Sequence, residues 1–576
     1  MIDPVTLAVV NGRLEQIADE MDATLFRSAF NPIIAEAHDA SHGLYDAENG
    51  ATLIQGKSGL PIFVGAMSFA VKLVINKATG KNSLSPGDTY IFNDPYEGGT
   101  HLSDFKLVRP FFRQNKIFCY LASVGHWHDV GGNVPGNYNP AATESFQEGM
   151  LIPPVKLIDQ GSFRQDIVDI LQANSRLPES LYGDLNGQIN ALDLGERRLT
   201  ELLDEYGDEV IKKVLAELQR RATLLMRANI TDLPDGTFAC EDWLDNDGIV
   251  DEPLKIALDM TISGAKMTLD FSRSSEACAG PVNISRPTAV ASIYVALKHI
   301  FTDVPANAGV LEPIKIIIPD NTLLSVGAPK PVGGYTETIL RVIDVVFGAV
   351  AKAAPNRSNG CAYGTINALS LAGYRKDGQR WVMFSFFGGG HGGHPEGDGL
   401  NHGNAPISTA TIPPLEILEA AYPVYFRTWA LRPDSGGPGE NRGGLGAIYE
   451  IELLEENADV FLFGERGRFA PQGVTGGGAG ALNRFWFEQS DGLHEPPMKS
   501  KMVDIKIVKG QYLRLETPGG GGYGQPRKRE PAAVVEDVRL GYVSAVAAAK
   551  DYAVAVDENG NLDVTTTEIL RTRSQT

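Results

Sequence analysis

Asn93-Asp94-Pro95-Tyr96-Glu97-Gly98-Gly99-Thr100-His101-Leu102-Ser103-Asp104 and, after two short apolar runs, Gly125-His126-Trp127-His128-Asp129-Val130-Gly131-Gly132 decide how this chain is read. His101 and Asp104 are three residues apart and precede a predicted strand, Phe105–Val108. His126 and Asp129 repeat that spacing after a second, Phe118–Val124. Adjacent strand ends would bring the two loops together. Two neutral imidazoles with one or two carboxylates suit Zn²⁺, Mn²⁺ or Fe²⁺ and leave a position open for water or substrate. Either loop alone reads as an ordinary turn whose His bonds a nearby carbonyl. It is the pair, in one short region holding five of the ten histidines, that raises a metal site to equal standing. His128 ranks below His126, because one of the two is expected to point away. His42 reads equally as a surface residue.

Upstream, Asp3 can cap a helix with Pro4 at its first position. Leu7, Val10, Leu14, Ile17, Met21 and Leu25 give that helix one apolar face. From Phe30 to about Pro154 short apolar runs broken by Gly, Pro, Asn and Asp predict strands joined by loops. A second helical region runs from about Leu192 to Ile230, with Gly207 as a break. A hairpin follows, in which Ile256–Ile262 and Met267–Phe271 alternate around Ser263-Gly264-Ala265. Residues 285–305 and 337–354 predict helices, 380–525 a turn-rich β region, and roughly Ala532–Tyr552 one short helix. The expected class is α+β: a large composite fold with an N-terminal metal-binding α/β region and a β-rich C-terminal half. Three regions are expected: 1–190 binding metal, 191–380 helical with a hairpin, and 381–576 glycine-rich β with a C-terminal helix.

Glycine clusters at 388–393, 436–446, 476–480 and 519–524 invite a phosphate-loop reading, which fails. Gly56-Lys57-Ser58 supplies half of GxxxxGK[ST], but Ala51 stands where the first Gly is needed, and no convincing helix is read after it. The clusters instead predict turns with positive φ or close approach of backbones. His391, His394 and His402 read as loop residues before a second metal site. There is no GxSxG elbow, and no Cys stands beside a His or a helix start.

Composition narrows the classes further. The 576 residues carry a net charge of −20, which opposes nucleic acid and anionic membranes as partners. Four separated cysteines with no CxxC pair fit a reducing, cytoplasmic setting. The N-terminus lacks the pattern of a signal peptide, and no apolar run approaches the ~20 residues that span a bilayer.

These motifs resemble the hydantoinase B/5-oxoprolinase family, in that family's order and over nearly the whole length. The further matches are Pro135-Gly136, Glu148-Gly149, Ile152-Pro153-Pro154, and Arg432-Pro433-Asp434-Ser435-Gly436-Gly437 leading to Arg442-Gly443-Gly444-Leu445-Gly446. Pro518-Gly519-Gly520-Gly521-Gly522-Tyr523-Gly524 and Asp537-Val538-Arg539-Leu540-Gly541 complete them. The resemblance implies metal ligands at Asp39, His101, Asp104 and His126, the two histidines 25 residues apart as in the family. One departure stands out: Glu36-Ala37-His38-Asp39-Ala40-Ser41 lacks the Arg and Phe usual around that Asp.

The same resemblance implies the chemistry. Family members are subunits of ATP-dependent enzymes that open cyclic amides (5-oxoproline, hydantoins, N-methylhydantoin, caprolactam) or carboxylate acetone and acetophenone. ATP belongs to a hydantoinase A-type partner with an actin-like kinase fold, in an expected (αβ)2 heterotetramer. The expected role here is to add water, activated by Zn²⁺ or else Mn²⁺, to a lactam phosphorylated on the partner, with His128 or Asp129 orienting ligands or taking the proton. A chain shorter than acetone carboxylase large subunits favours hydrolysis over carboxylation. A structural subunit with a non-catalytic metal, and a stand-alone metallohydrolase, are the readings from other classes.

Overall fold

The computed structural model describes residues 2–78, 83–408 and 411–572. Helices mix with four sheets, and the chain divides into two compact units. One comprises Met1–Thr237, Asp259–Val342 and Ile407–Pro413. The other comprises Phe238–Leu258, Ile343–Pro406 and Pro414–Thr576.

The first unit is built on a seven-stranded sheet. In chain order its elements begin α1 (Pro4–Ser28), α2 (Pro32–Ala35), β1 (Ala40–Asp46), β2 (Thr52–Gln55), α3 (Pro61–Lys77) and β3 (Thr89–Phe92). They continue α4 (Pro95–Gly98), β4 (Asp104–Arg113), β5 (Lys116–His126), β6 (Val155–Asp159), β7 (Ser162–Phe163), α5 (Gln165–Ala173), α6 (Pro178–Tyr206) and α7 (Asp208–Thr231). The order is β2-β1-β5-β4-β3-β6-β7, with every pair antiparallel. β4 and β5 form a hairpin through Gln114 and Asn115, whose φ of 47° and 63° match a tight turn that follows the strands' own twist.

Alternation sorts the faces of that hairpin. Phe105, Leu107, Phe111, Cys119 and Leu121 join the core beneath α1 and α6. Asp104, Lys106 and His126 therefore point to the opposite face. α1 forms as expected: Asp3 accepts from the amides of Val5 and Thr6, and the six apolar positions are all buried. It packs on α6, where Gly195 lies against Met21, Gly187 against Leu25 and Gly183 against Phe30.

Three elements differ from expectation. α6 begins at Pro178, fourteen residues before Leu192, because Gly183, Gly187, Ala191 and Gly195 form a ridge of small residues that carries no apolar signal. α3 lies where strands and loops were expected; it is apolar on nearly every side, so no helical period shows. α3 also supplies the helix thought missing after Gly56-Lys57-Ser58. That loop still faces carboxylates, with the Lys57 amide donating to Asp19 (2.6 Å) and the ammonium on Glu15 (2.7 Å). Finally, the C-terminal helix is two, Pro531–Arg539 and Ala545–Asp551, divided near Gly541 at φ 73°, and a third follows at Val564–Thr572.

In the second unit, a four-stranded and a five-stranded antiparallel sheet share one apolar core. The four glycine clusters meet as extended segments that bond to one another through backbone alone. Gly393 N donates to Gly521 O, Gly437 N to Gly520 O, Gly444 N to His391 O, and Gly522 N to Gly478 O, at 2.7–2.9 Å. A Cβ on Gly520 would stand 2.0 Å from the His391 carbonyl oxygen. Gly520→Ala is thus expected to lower stability by about 1–3 kcal/mol or more in urea unfolding, through overpacking against backbone.

Asp184 of α6 accepts from the amides of Phe30 (2.8 Å) and Asn31 (3.2 Å), fixing the turn from α1 to α2. Burial pushes its carboxyl up to about 7, against the two amide bonds. A raised carboxyl pKa favours the folded state at low pH. Its contribution is full below the unfolded value near 4 and is lost as pH rises to about 7, by up to ~1.4 kcal/mol per pH unit. Asp184→Asn should lose that segment of the stability–pH curve, measured by urea unfolding between pH 4.5 and 8.

Candidate metal centre

The antiparallel register sets Asp104, the first residue of β4, directly opposite His126, the last of β5. His101 stands one turn ahead of Asp104. His101 Nε2, His126 Nδ1 and Asp104 Oδ1 form a nearly equilateral triangle: 3.2 Å between the rings, 3.2 Å from His126 to Asp104, and 3.3 Å from His101 to Asp104. All three side chains are buried. Three donors bound to one ion at about 2.0–2.1 Å with tetrahedral angles stand about 3.3–3.4 Å apart. Among the described residues, this is the one group of three or more potential ligands that converges; His391, His394 and His402 form none.

Asp39 lies beside the triangle. Its carbonyl accepts from the His126 amide (3.1 Å), while its carboxylate Oδ1 is buried with no hydrogen bond. Burial raises its pKa to about 7, with His126 opposing and the Asp104 charge adding. Burial acts on Asp104 in the same direction, but His101 and His126 hold that carboxyl well below its usual range. Asp104 Oδ2 is likewise buried without a partner. Two close carboxylates with orphaned oxygens and two imidazole nitrogens are a donor set that a divalent cation satisfies, so the residues fit a metal.

The loop before His101 is held in an unusual backbone. Gly99 and Thr100 have φ of 83° and 69°. Lys106, on the ligand face of β4 and wholly buried, donates to Gly99 O (2.7 Å) and Thr100 Oγ1 (3.1 Å). Burial lowers its ammonium pKa to about 8, with Asp104 and Asp94 opposing. Thr100 N donates to Thr288 Oγ1 (2.8 Å), and Asn93 Nδ2 donates to Leu102 O (2.7 Å) and Met150 O (2.9 Å). Tyr335 and Tyr138 wall the His101 ring at 4.8 and 5.4 Å between centroids. Burial, with the Asp104 charge, lifts both phenols far above their normal range, so they remain hydrogen-bond donors.

Asp129 and His128 are not members of the triangle. Asp129 is committed to a loop: Oδ2 pairs with Arg176 Nη1 (2.9 Å), and Oδ1 accepts from the amides of Arg176 (2.9 Å) and Gly131 (3.2 Å). His128 is buried just beyond β5. Residues two apart on a strand share a face, so alternation does not separate His126 from His128, and β5 ends at His126. His42 is buried, not superficial, and bonds Asp22. Lys106 and the two tyrosines were not picked out from sequence. Asp104-Phe105-Lys106 carries a signal for Lys106, since a period of two places it with Asp104. Nothing local marks Tyr335, more than 200 residues away.

The hydantoinase B/oxoprolinase family profile matches residues 3–526. Caprolactamase subunit beta of Pseudomonas jessenii is 33% identical over 588 aligned positions, covering 99% of each chain. The crystal structure of the ATP-dependent caprolactamase from Pseudomonas jessenii matches with a TM-score of 0.90 at 31% identity, over 99% of this chain and 100% of that one. The nucleotide-free structure of acetone carboxylase matches with a TM-score of 0.91 over 100% of this chain and 83% of that one, and at 21% identity this is a likeness of fold. By profile, sequence and fold, the chain belongs to the hydantoinase B/oxoprolinase family.

Proposed function

We propose that this chain is the hydrolytic, metal-binding subunit of an ATP-dependent cyclic amide hydrolase. The observation that carries the reading is the triangle of His101 Nε2, Asp104 Oδ1 and His126 Nδ1, with the orphaned carboxylate of Asp39 beside it. Zinc is the first choice and manganese the second, because mixed nitrogen and oxygen donors accept both and the Irving–Williams order favours zinc. Such an ion, when bound, lowers the pKa of a coordinated water from about 15.7 toward about 7 and so supplies hydroxide at neutral pH.

The chain's own residues set the conditions. His101, Asp104 and His126 hold the donors in place, and Asp39 adds negative charge that favours the cation. Lys106 keeps the His101 loop in its strained backbone. Tyr138 and Tyr335 keep the neighbourhood of His101 apolar while leaving phenolic O–H groups near Asp104. Asp129 acts by anchoring the Gly131–Gly132 turn to Arg176, and His128 is left as the candidate proton acceptor.

An unactivated lactam is a poor electrophile. In this proposal ATP phosphorylates the amide oxygen on a hydantoinase A-type partner subunit, in an (αβ)2 assembly, leaving ADP. Water then adds to the amide carbon, the ring C–N bond breaks as the amine takes a proton, and a second water hydrolyses the resulting acyl phosphate to carboxylate and phosphate. The subunit name and ATP-dependence of the caprolactamase relative support that division. We place the enzyme in the cytoplasm, where its four free cysteines remain reduced; among the described residues no helix is long and apolar enough to cross a membrane.

Two outcomes are expected. The full chain alone should show no ATP binding by calorimetry, since Gly56-Lys57-Ser58 faces Asp19 and Glu15 and the chain carries −20; micromolar binding contradicts the division of labour. His101→Ala should abolish ATP-coupled lactam hydrolysis by the reconstituted pair. It should also remove the stabilisation by metal, about 2.7 kcal/mol at one hundred times Kd. A purely structural metal predicts otherwise: a lower melting temperature with turnover per folded molecule retained.

A further inference from the structure

Behind the metal centre, on the α1/α6 face of the same hairpin, lies a chain of buried polar side chains. Trp127 Nε1 donates to Gln188 Oε1 (3.0 Å). Gln188 Nε2 donates to the Phe105 carbonyl (3.1 Å) and to Ser123 Oγ (3.2 Å). Ser123 Oγ meets His42 Nε2 at 2.9 Å, and His42 Nδ1 meets Asp22 Oδ1 at 2.7 Å. Gln188, Ser123 and Asp22 have no exposed surface, and His42 has 1%.

The chemistry gives this chain one direction. An indole N–H can only donate, so it fixes the Gln188 amide with its oxygen toward Trp127 and both N–H bonds toward Phe105 and Ser123. Ser123 Oγ, accepting from Gln188, meets the His42 ring, which in turn meets the Asp22 carboxyl. The Asp22, His42 and Ser123 groups have the connectivity of a hydrolytic triad, but the hydroxyl is sealed in the core with an amide on its oxygen.

We propose that Gln188 is a positioning residue for the metal centre, clamping together the two strand ends that carry the ligands. Phe105 follows Asp104, and Trp127 follows His126. One amide on α6 binds the backbone of the first and the side chain of the second, and their rings stack at 3.8 Å and 7°. Trp127 N donates to Ser103 O (2.8 Å), which ties in the His101 turn. The clamp thus sets the offset between the ligands from the far side of the strands, without touching them. Outer groups that bond ligands directly alter metal affinity by about 10–100-fold when removed, and the clamp, which fixes the backbone carrying two of the ligands, is expected to act on the same scale. The inference rests on reading the triangle as a metal site.

The test uses the full-length chain, stripped of metal and titrated with Zn²⁺ against a chromophoric chelator. Gln188→Leu removes the amide. Gln188→Glu keeps the shape, and is measured beside it because the apolar variant risks misfolding; its carboxylate cannot donate to Phe105 O. Both should weaken zinc Kd about 10–100-fold, and should broaden or shift the visible bands of the Co²⁺-loaded chain. Adding Trp127→Phe to Gln188→Leu should cost little more, because both act through one contact. A merely structural Gln188 lowers the melting temperature of the metal-free chain and leaves Kd within about twofold of wild type, which overturns the proposal. His101→Ala separates the two levels. If it abolishes zinc binding while the Gln188 variants keep Kd within about twofold of wild type, only the clamp fails; if it leaves zinc affinity unchanged, the metal reading fails and the clamp with it.

Discussion

Everything proposed for this protein depends on the pairing of Asp104 with His126 across the β4–β5 hairpin. Strand register is all or nothing with respect to face: a slip of β4 by one residue would turn Asp104 and Lys106 into the core beneath α1, send Phe105 to the other side, and leave His126 without Asp104 on its face. The apolar set Phe105, Leu107, Phe111, Cys119 and Leu121 therefore does two jobs. It stabilises the first unit, and it forbids any register in which the ligands fail to converge. The two-residue turn at Gln114 and Asn115, together with the one-residue shift in pairing between Phe111 and Phe112, sets that register from the other end.

The ligand face concentrates unfavourable charge that the fold by itself does not relieve. Two carboxylates with unpartnered buried oxygens lie beside two imidazoles, and a buried lysine stands one ladder step along the same face. Burying such groups costs far more than their mutual hydrogen bonds return, unless a cation is present. Local strain at Thr100, whose φ is 69°, adds to the cost. Concentrations of strain and unsatisfied charge mark functional sites, and here they coincide with converging donors. The glycine layer of the second unit shows a different constraint. Its segments approach so closely that no Cβ fits, which ties many positions to one residue type for packing rather than for chemistry.

Much of this was legible in the sequence, and the failures have physical causes. The converging pair His101 and Asp104 showed itself through glycine-flanked spacing, and α1 through a clean apolar face. The glycine clusters were readable as close backbone approach because they lacked any Lys-Ser/Thr. α3 was hidden by being apolar on nearly all sides, and the start of α6 by helix packing that uses glycine where sequence reading looks for leucine. Asp129 resembled a ligand in spacing alone; only the structure reveals that Arg176 claims it. Gln188, Lys106 and Tyr335 come from other segments or other faces. Their relation to the centre is a product of tertiary packing that no local pattern records.

The central claim is that His101, Asp104 and His126 hold one divalent ion. X-ray absorption at the zinc edge, on the full chain loaded with one equivalent of zinc, tests it most directly. The account predicts a first shell of nitrogen and oxygen at about 2.0–2.1 Å, with outer-shell scattering from two imidazole rings that disappears in His101→Ala and His126→Ala. A shell containing sulfur at about 2.3 Å, or a spectrum unchanged by either substitution, would place the metal elsewhere and contradict the account.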